Sequence, residues 1–151
     1  MRPVAELVPA GLSVVDVGAG DGLLAAWLAA HGHRVIATEN KPGPLAVVRA
    51  LLDPLGIECR LGDGLEPIRP GEVEAAVIAG MGGATIARIL AASPEVVGSL
   101  QALVLQPVQG AERLFAELRR EGFREAGRAE IGQGSHRYAV ALFLPPYSTA
   151  R

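Results

Sequence analysis

Val14-Val15-Asp16-Val17-Gly18-Ala19-Gly20-Asp21-Gly22 leads an apolar, β-branched run straight into three alternating glycines. A helix-forming stretch, Leu23 to Ala30, follows at once. The pattern predicts a strand, a tight turn and a helix, the first half of a βαβ unit in a parallel sheet. The spacing is selective. A dinucleotide turn reads G-x-G-x-x-G, with its third glycine three places after the second. Here that place is Leu23, and the third glycine is Gly22. Asp16 stands two residues ahead of Gly18, and no Walker lysine follows the turn.

Outward from this turn, short apolar runs alternate with helical patterns. Strands are predicted over Ser13–Val17, Arg34–Thr38, Glu58–Leu61, Ala75–Ala79 and Ala102–Leu105. Helices are predicted over Gly22–Ala30, Pro44–Leu55, Ala84–Ala92 and Gly110–Glu121, with Gly32 and Gly56 placed as helix stops. This order implies an α/β fold, a mostly parallel sheet with helices on both faces. After Gly122 the pattern changes. Phe123–Ile131 and His136–Leu144 flank Gly132-Gln133-Gly134-Ser135 and read as an antiparallel hairpin. The 151 residues fit a single domain, 1–151, and half of them are hydrophobic. Pro145-Pro146-Tyr147 to Arg151 reads as a frayed tail.

Bulk properties narrow the partners. No apolar run is long enough to span a membrane, and Met1-Arg2-Pro3-Val4 lacks the apolar core of a signal peptide. The expectation is therefore a cytoplasmic chain without membrane contact. The single cysteine, Cys59, reads as a buried thiol. A net charge of −2 exerts no global pull toward nucleic acid. Arg113, Arg119, Arg120, Arg124 and Arg128 are interleaved with glutamates and read as a solvated, paired face. His31 and His33 are expected at the surface and His136 on the hairpin, with no metal-ligand spacing. Trp27 reads as a packing residue.

In parallel sheets the ligand lies beyond the carboxyl ends of the strands. After the first strand stand Asp16, Gly18, Gly20, Asp21 and Gly22. After the second stand Glu39 and Asn40, where a carboxylate can accept from both ribose hydroxyls. After the third stands Gly62-Asp63-Gly64, whose carboxylate can accept from an adenine amino group. After the fourth comes Gly80-Met81-Gly82-Gly83, where glycines permit close approach. The fifth ends in Leu105-Gln106-Pro107, and Gln106 can donate to and accept from a base edge.

D-x-G-x-G-x-G at Asp16 to Gly22 resembles motif I of the class I S-adenosylmethionine (SAM) methyltransferases. The likeness narrows over Glu39–Pro44, Arg60–Leu65, Val77–Gly83 and Leu105–Pro107. In that order they are similar to the bacterial tRNA (adenine-22 N1) methyltransferase family, across about Val14 to Leu144. The resemblance implies a Rossmann-like class I methyltransferase fold with seven strands, SAM as methyl donor, and a tRNA adenine N1 as acceptor. It implies cofactor contacts at Asp16, Gly18, Gly20, Asp21, Gly22, Glu39, Asn40, Gly62, Asp63, Gly64, Gly80 and Met81. Met81 and Gln106 are the candidates to cradle the acceptor base, and no catalytic base is assigned. The chain departs from the family where D-I-G-S-D-H becomes Asp16-Val17-Gly18-Ala19-Gly20-Asp21 and where the Asn of L-Q-P-N becomes Val108. It is expected to be a short form without the family's C-terminal helical extension. A small-molecule or protein acceptor, an inactive SAM-binding module working with a partner, and an NAD(P) oxidoreductase are the alternatives. Monomer and homodimer both remain open.

Overall fold

The structure, a computed structural model, describes residues 1–146. Tyr147 and the rest of the expected frayed tail lie outside the described residues. Seven strands form one sheet: β1 (Val14–Val17), β2 (Val35–Glu39), β3 (Glu58–Leu61), β4 (Ala75–Met81), β5 (Ala102–Pro107), β6 (Arg124–Gln133) and β7 (His136–Leu144). Their order is β3-β2-β1-β4-β5-β7-β6. The first five are parallel, and β7 pairs antiparallel with both β5 and β6. The helices are α1 (Arg2–Glu6), α2 (Leu23–Ala30), α3 (Pro42–Leu52), α4 (Gly83–Ala92), α5 (Pro94–Ser99) and α6 (Ala111–Arg120). This is the α/β architecture predicted, with its terminal antiparallel hairpin.

Two apolar layers sandwich the sheet. Val14, Leu24, Leu28, Val48 and Leu52 pack on one face with α1, α2 and α3. Val15, Ile78, Ile86, Phe115 and Phe143 pack on the other with α4, α5 and α6. Neighbours such as Val14 and Val15 serve opposite layers because successive strand side chains alternate faces. Strands β1, β2 and β5 are buried along their whole length, the state that makes a parallel strand read as an unbroken apolar run. Helix α6 buries Leu114, Phe115 and Leu118 and leaves its charged residues outside. Between β3 and β4 the connection carries no α-helix, and Leu65, Ile68 and Val73 plug the second layer instead.

Several expectations need correction. Helices α1 and α5 were not predicted, since five and six residues are too few to show a helical period. Helix α3 begins at Pro42 rather than Pro44, and its last turn, Asp53–Leu55, tightens to 3₁₀. The hairpin loop is only Gly134-Ser135, because β6 continues to Gln133, and Gly134 takes the positive φ (62°) of a two-residue turn. His33 is buried, not at the surface. Its Nδ1 lies 2.7 Å from the Leu12 carbonyl, which satisfies the ring inside.

Strands β4 and β5 both run past their expected ends. Ala79 pairs with Gln106 and Met81 with Pro107, so Gly80 is one extra residue in β4, a bulge at φ 80°. Its N–H is accepted by the Gln106 side chain at 3.1 Å. Beyond the bulge two loops are fastened backbone to backbone: Val108 N donates to Met81 O (2.9 Å) and Gly83 N to Gln109 O (2.8 Å). A Cβ on Gly83 would meet the Gly110 carbonyl at 2.8 Å, with backbone that cannot turn aside. Gly83→Ala is therefore expected to cost about 1–3 kcal/mol in urea denaturation. A Gly98→Ala control, on open space, should cost much less.

Candidate functional site

The strand order reverses between β1 and β4, and this switch point is where α/β sheets open a crevice for ligands. The turn after β1 and the loop after β4 meet there. Gly18 takes a positive φ of 66°, and a Cβ there would lie 2.5 Å from Cε of Met81, so a side chain at this position would be strained and would displace the end of the methionine. Two cavities adjoin at this contact and share Gly18, Ala79 and Gly80 as common walls. The first, of about 570 Å³, holds Asp16, Gly20, Asp21 and Gln106 on its floor and sides. The second, of about 230 Å³, is formed by the ends of β2 and β3, with Glu39, Asn40, Asp63, Met81 and Arg88 around it.

The glycine turn is held by carboxylates. Glu39, buried at the end of β2, accepts from Gly20 N at 2.7 Å. Gly18 N and Ala19 N both donate to the Thr38 carbonyl, which ties the turn to β2. Asp21 Oδ1 accepts from Leu23 N at 3.0 Å and supplies a local partner at the start of α2. Asp16 is different. It is 2% exposed, and its Oδ2 has no hydrogen-bond partner. Burial, with the nearby charges of Glu39 and then Asp21, pushes its carboxyl up to about 7. A buried acid without a partner is costly unless something else in the cavity compensates it.

The second cavity carries the opposite sign as well. Arg88 on α4 reaches Asp63 with Nη1–Oδ2 at 2.9 Å, half in solvent. Asp63 thus stands where expected, but paired across the pocket mouth rather than turned inward alone. Gln106 is buried and spends its oxygen on Gly80 N and its nitrogen on the Pro107 carbonyl (3.2 Å). It braces the bulge from the lining of the larger cavity.

Of the residues predicted, all but one line the two cavities. Gly22 does not. Its Cα faces α3, where a Cβ would crowd Leu51 and Val48 at 3.2 Å, so its role is helix packing. Sequence reading missed Arg88, because its pairing with Asp63 spans 25 residues and follows no motif. It also missed Val108, Ile131, Gln133 and Tyr138, which line the larger cavity together with Asp16. The alternation of β6 and β7 was the one available signal for them. Elsewhere, Cys59 is buried, and burial raises its thiol. Trp27 stacks on His31 at 3.6 Å. Arg113, Arg119 and Arg128 pair with Glu117, Glu125 and Glu112, the solvated ion-paired face expected. Among the described residues no three His, Cys, Asp or Glu converge as a metal site, and no helix is long and apolar enough to cross a membrane.

A family model described as a methyltransferase domain matches residues 1–140. The chain therefore belongs to the methyltransferase-domain family, and the motif I reading at Asp16–Gly22 stands on that footing. Within the family it is 38% identical over 114 residues to tRNA (adenine(22)-N(1))-methyltransferase of Bacillus subtilis. That match takes in 71% of this chain and 48% of the relative, so the chain spans about half the length of the curated relative it matches. The crystal structure of the B. subtilis m1A22 tRNA methyltransferase TrmK superposes with a TM-score of 0.87 and 32% identity, over 95% of this chain and 64% of that one. Streptococcus pneumoniae Sp1610, crystallised in complex with S-adenosyl-L-methionine, gives 0.90 and 27%, over 99% and 73%. The resemblance to the tRNA (adenine-22 N1) methyltransferases is thus borne out.

The lone carboxyl makes a stability prediction. In the unfolded chain Asp16 titrates near its ordinary 3.8, in the folded protein near 7. Between those values the folded state holds more protons, so stability falls as pH rises through the window. The span amounts to about 4 kcal/mol at most. Asp16→Asn should remove this slope. In thermal melts the variant is expected to be more stable than the parent at pH 8, to keep part of that advantage at pH 5, and to lose it by about pH 4.

Proposed function

We propose that this chain is a SAM-dependent methyltransferase acting on N1 of an adenine in tRNA. The observation that carries the reading is Asp16: a buried carboxyl whose Oδ2 has no partner, lining the larger cavity beside the glycines of the turn, Gly18 and Gly20, both at positive φ. Such a site fits a ligand that brings positive charge and needs backbone contact. SAM carries both an ammonium and a sulfonium, and it supplies an activated methyl group. The B. subtilis relative by its name, and Sp1610 by its bound ligand, support the same reading.

The residues divide the work. Asp16 holds the cationic portion, with Asp21 adding negative potential at the rim. Gly18, Gly20 and Gly80 let backbone close on the ligand. Glu39 fixes the turn through Gly20 and keeps a second oxygen for a ribose hydroxyl, with Asn40 beside it. Gly62, Asp63 and Gly64 line the adenine end, and Met81 packs between the two cavities against Gly18. Gln106 acts through the bulge as a positioning residue.

The acceptor chemistry asks little of the protein. Adenine N1 carries its own lone pair, so no side chain must remove a proton before attack. The protein contributes orientation and exclusion of water. That edge is the Watson–Crick edge, so the base must be unpaired or flipped out.

Two measurements test the proposal. Primer extension on tRNA incubated with enzyme and SAM should stop at the methylated adenine, because N1 methylation blocks pairing. Full-length product at saturating enzyme and SAM refutes the tRNA acceptor. Asp63→Ala and Glu39→Ala should each weaken SAM binding in calorimetry, and unchanged affinity in both removes the adenosine assignment. Ionised Asp16 is the form that attracts the cation, so SAM affinity should decline as pH falls below about 7. Binding near neutrality should then release protons, read from calorimetry in buffers of different ionisation enthalpy.

A further inference from the structure

The larger cavity, which Met1, Val4 and Gln106 also line, has two unlike stretches of wall. One is the glycine turn with Asp16 and Asp21. The other comes from the β5–α6 loop and the terminal hairpin, and it carries Val108, Ile131, Gln133 and Tyr138. None of those four is charged. Ile131 lies directly opposite Tyr138 in the β6–β7 ladder, and Gln133 opposite His136. Directly opposed residues share one face of the sheet. Tyr138 is half-buried, and the His136 ring lies 6.1 Å from it at an interplanar angle of 19°. The hairpin thus presents two near-parallel rings, one lining the cavity and one further toward the hairpin tip.

We propose that Tyr138 is the stacking platform for the acceptor base and that Gln133 meets the base's polar edge. This rests on the methyltransferase reading above and names the side from which the acceptor enters. An uncharged wall with an aromatic face suits a neutral, planar heteroaromatic ring and does not suit a phosphate, an amine or a carboxylate. Gripping the base by its face leaves the N1 edge free to point at the opposite wall, where the methyl donor is placed. Stacking is the general means by which an unpaired base is held outside a helix. The Gln133 amide can both donate and accept, as the N6–H and N7 of an adenine require. His136 continues the platform outward to a neighbouring nucleotide.

The test compares Tyr138→Ala, Tyr138→Leu and Tyr138→Phe with the parent chain, each loaded with S-adenosylhomocysteine. Binding of an RNA stem-loop with an unpaired adenine is read by fluorescence anisotropy, and SAM affinity by calorimetry. Loss of the ring should weaken RNA binding roughly ten- to a hundred-fold in the Ala and Leu variants. Tyr138→Phe should bind like the parent, and SAM affinity should be the same in all four. In turnover, KM for tRNA should rise in step with the binding loss, while kcat changes less. RNA binding unchanged in Tyr138→Ala overturns the inference, as does Tyr138→Phe failing as badly as Tyr138→Leu, or a parent chain that binds no adenine-bearing RNA. A parent that binds RNA through Tyr138 yet transfers no methyl group refutes the function proposed above while this assignment stands.

Discussion

A carboxyl buried at the end of β1 with no partner sets the terms for the whole site. Asp16 sits where the sheet's strand order reverses, beside Glu39 and Asp21. The glycine turn contributes backbone N–H groups, yet those are already committed: Gly18 and Ala19 to Thr38, and Gly20 to Glu39. The protein has therefore fixed the geometry of the turn without neutralising its charge. The cost falls on the ligand-free fold, where Asp16 is pushed to about 7. A cationic ligand reverses that cost, and strain of this kind persists at functional sites because the surrounding structure holds it in place.

That surrounding structure is the pair of loops after β4 and β5. The Gly80 bulge turns Met81 toward Gly18, and Gln106 accepts the N–H that the bulge releases. Gly82 and Gly83 bring the start of α4 against Gln109 and Gly110. The sequence Gly80-Met81-Gly82-Gly83 is thus one mechanical unit: a glycine for the bulge, a side chain for the cavity wall, a glycine against the Gln109 side chain and a glycine for backbone contact. Gln106 serves that unit. That bracing was not legible in the sequence, because a bulge in one strand cannot be seen from the sequence of its neighbour.

What the sequence made legible follows the same divide between local and distant causes. The strand–turn–helix at Val14 to Ala30, the parallel order and the hairpin all come from short-range patterning, and the structure keeps them. The contacts between strand ends do not. Glu39 reaches back 19 residues to Gly20, and Arg88 reaches 25 to Asp63. His33 looked like a surface residue of a turn, yet it is buried with its ring against the Leu12 carbonyl, 21 residues away. Gly22 belonged to the motif by spacing and to α3 packing by position. The third glycine of the motif therefore answers a different constraint from the first two.

The departure at Gly20-Asp21 can now be given a physical meaning. Gly20 offers its N–H to Glu39, and Asp21 turns one carboxylate oxygen back to Leu23, so part of the turn's polar groups is engaged in holding its own geometry. The turn is specialised for holding a ligand. The acceptor has to be managed elsewhere, and the ion-paired arginines of α6 and β6 are already satisfied by their glutamates. The uncharged hairpin residues Ile131, Gln133 and Tyr138 share the larger cavity with Asp16. In the reaction proposed for this chain, charge recognises the donor on one side, and shape and stacking recognise the acceptor on the other. A reaction that needs no base before attack requires little more than that division, provided both partners are held in line and dry.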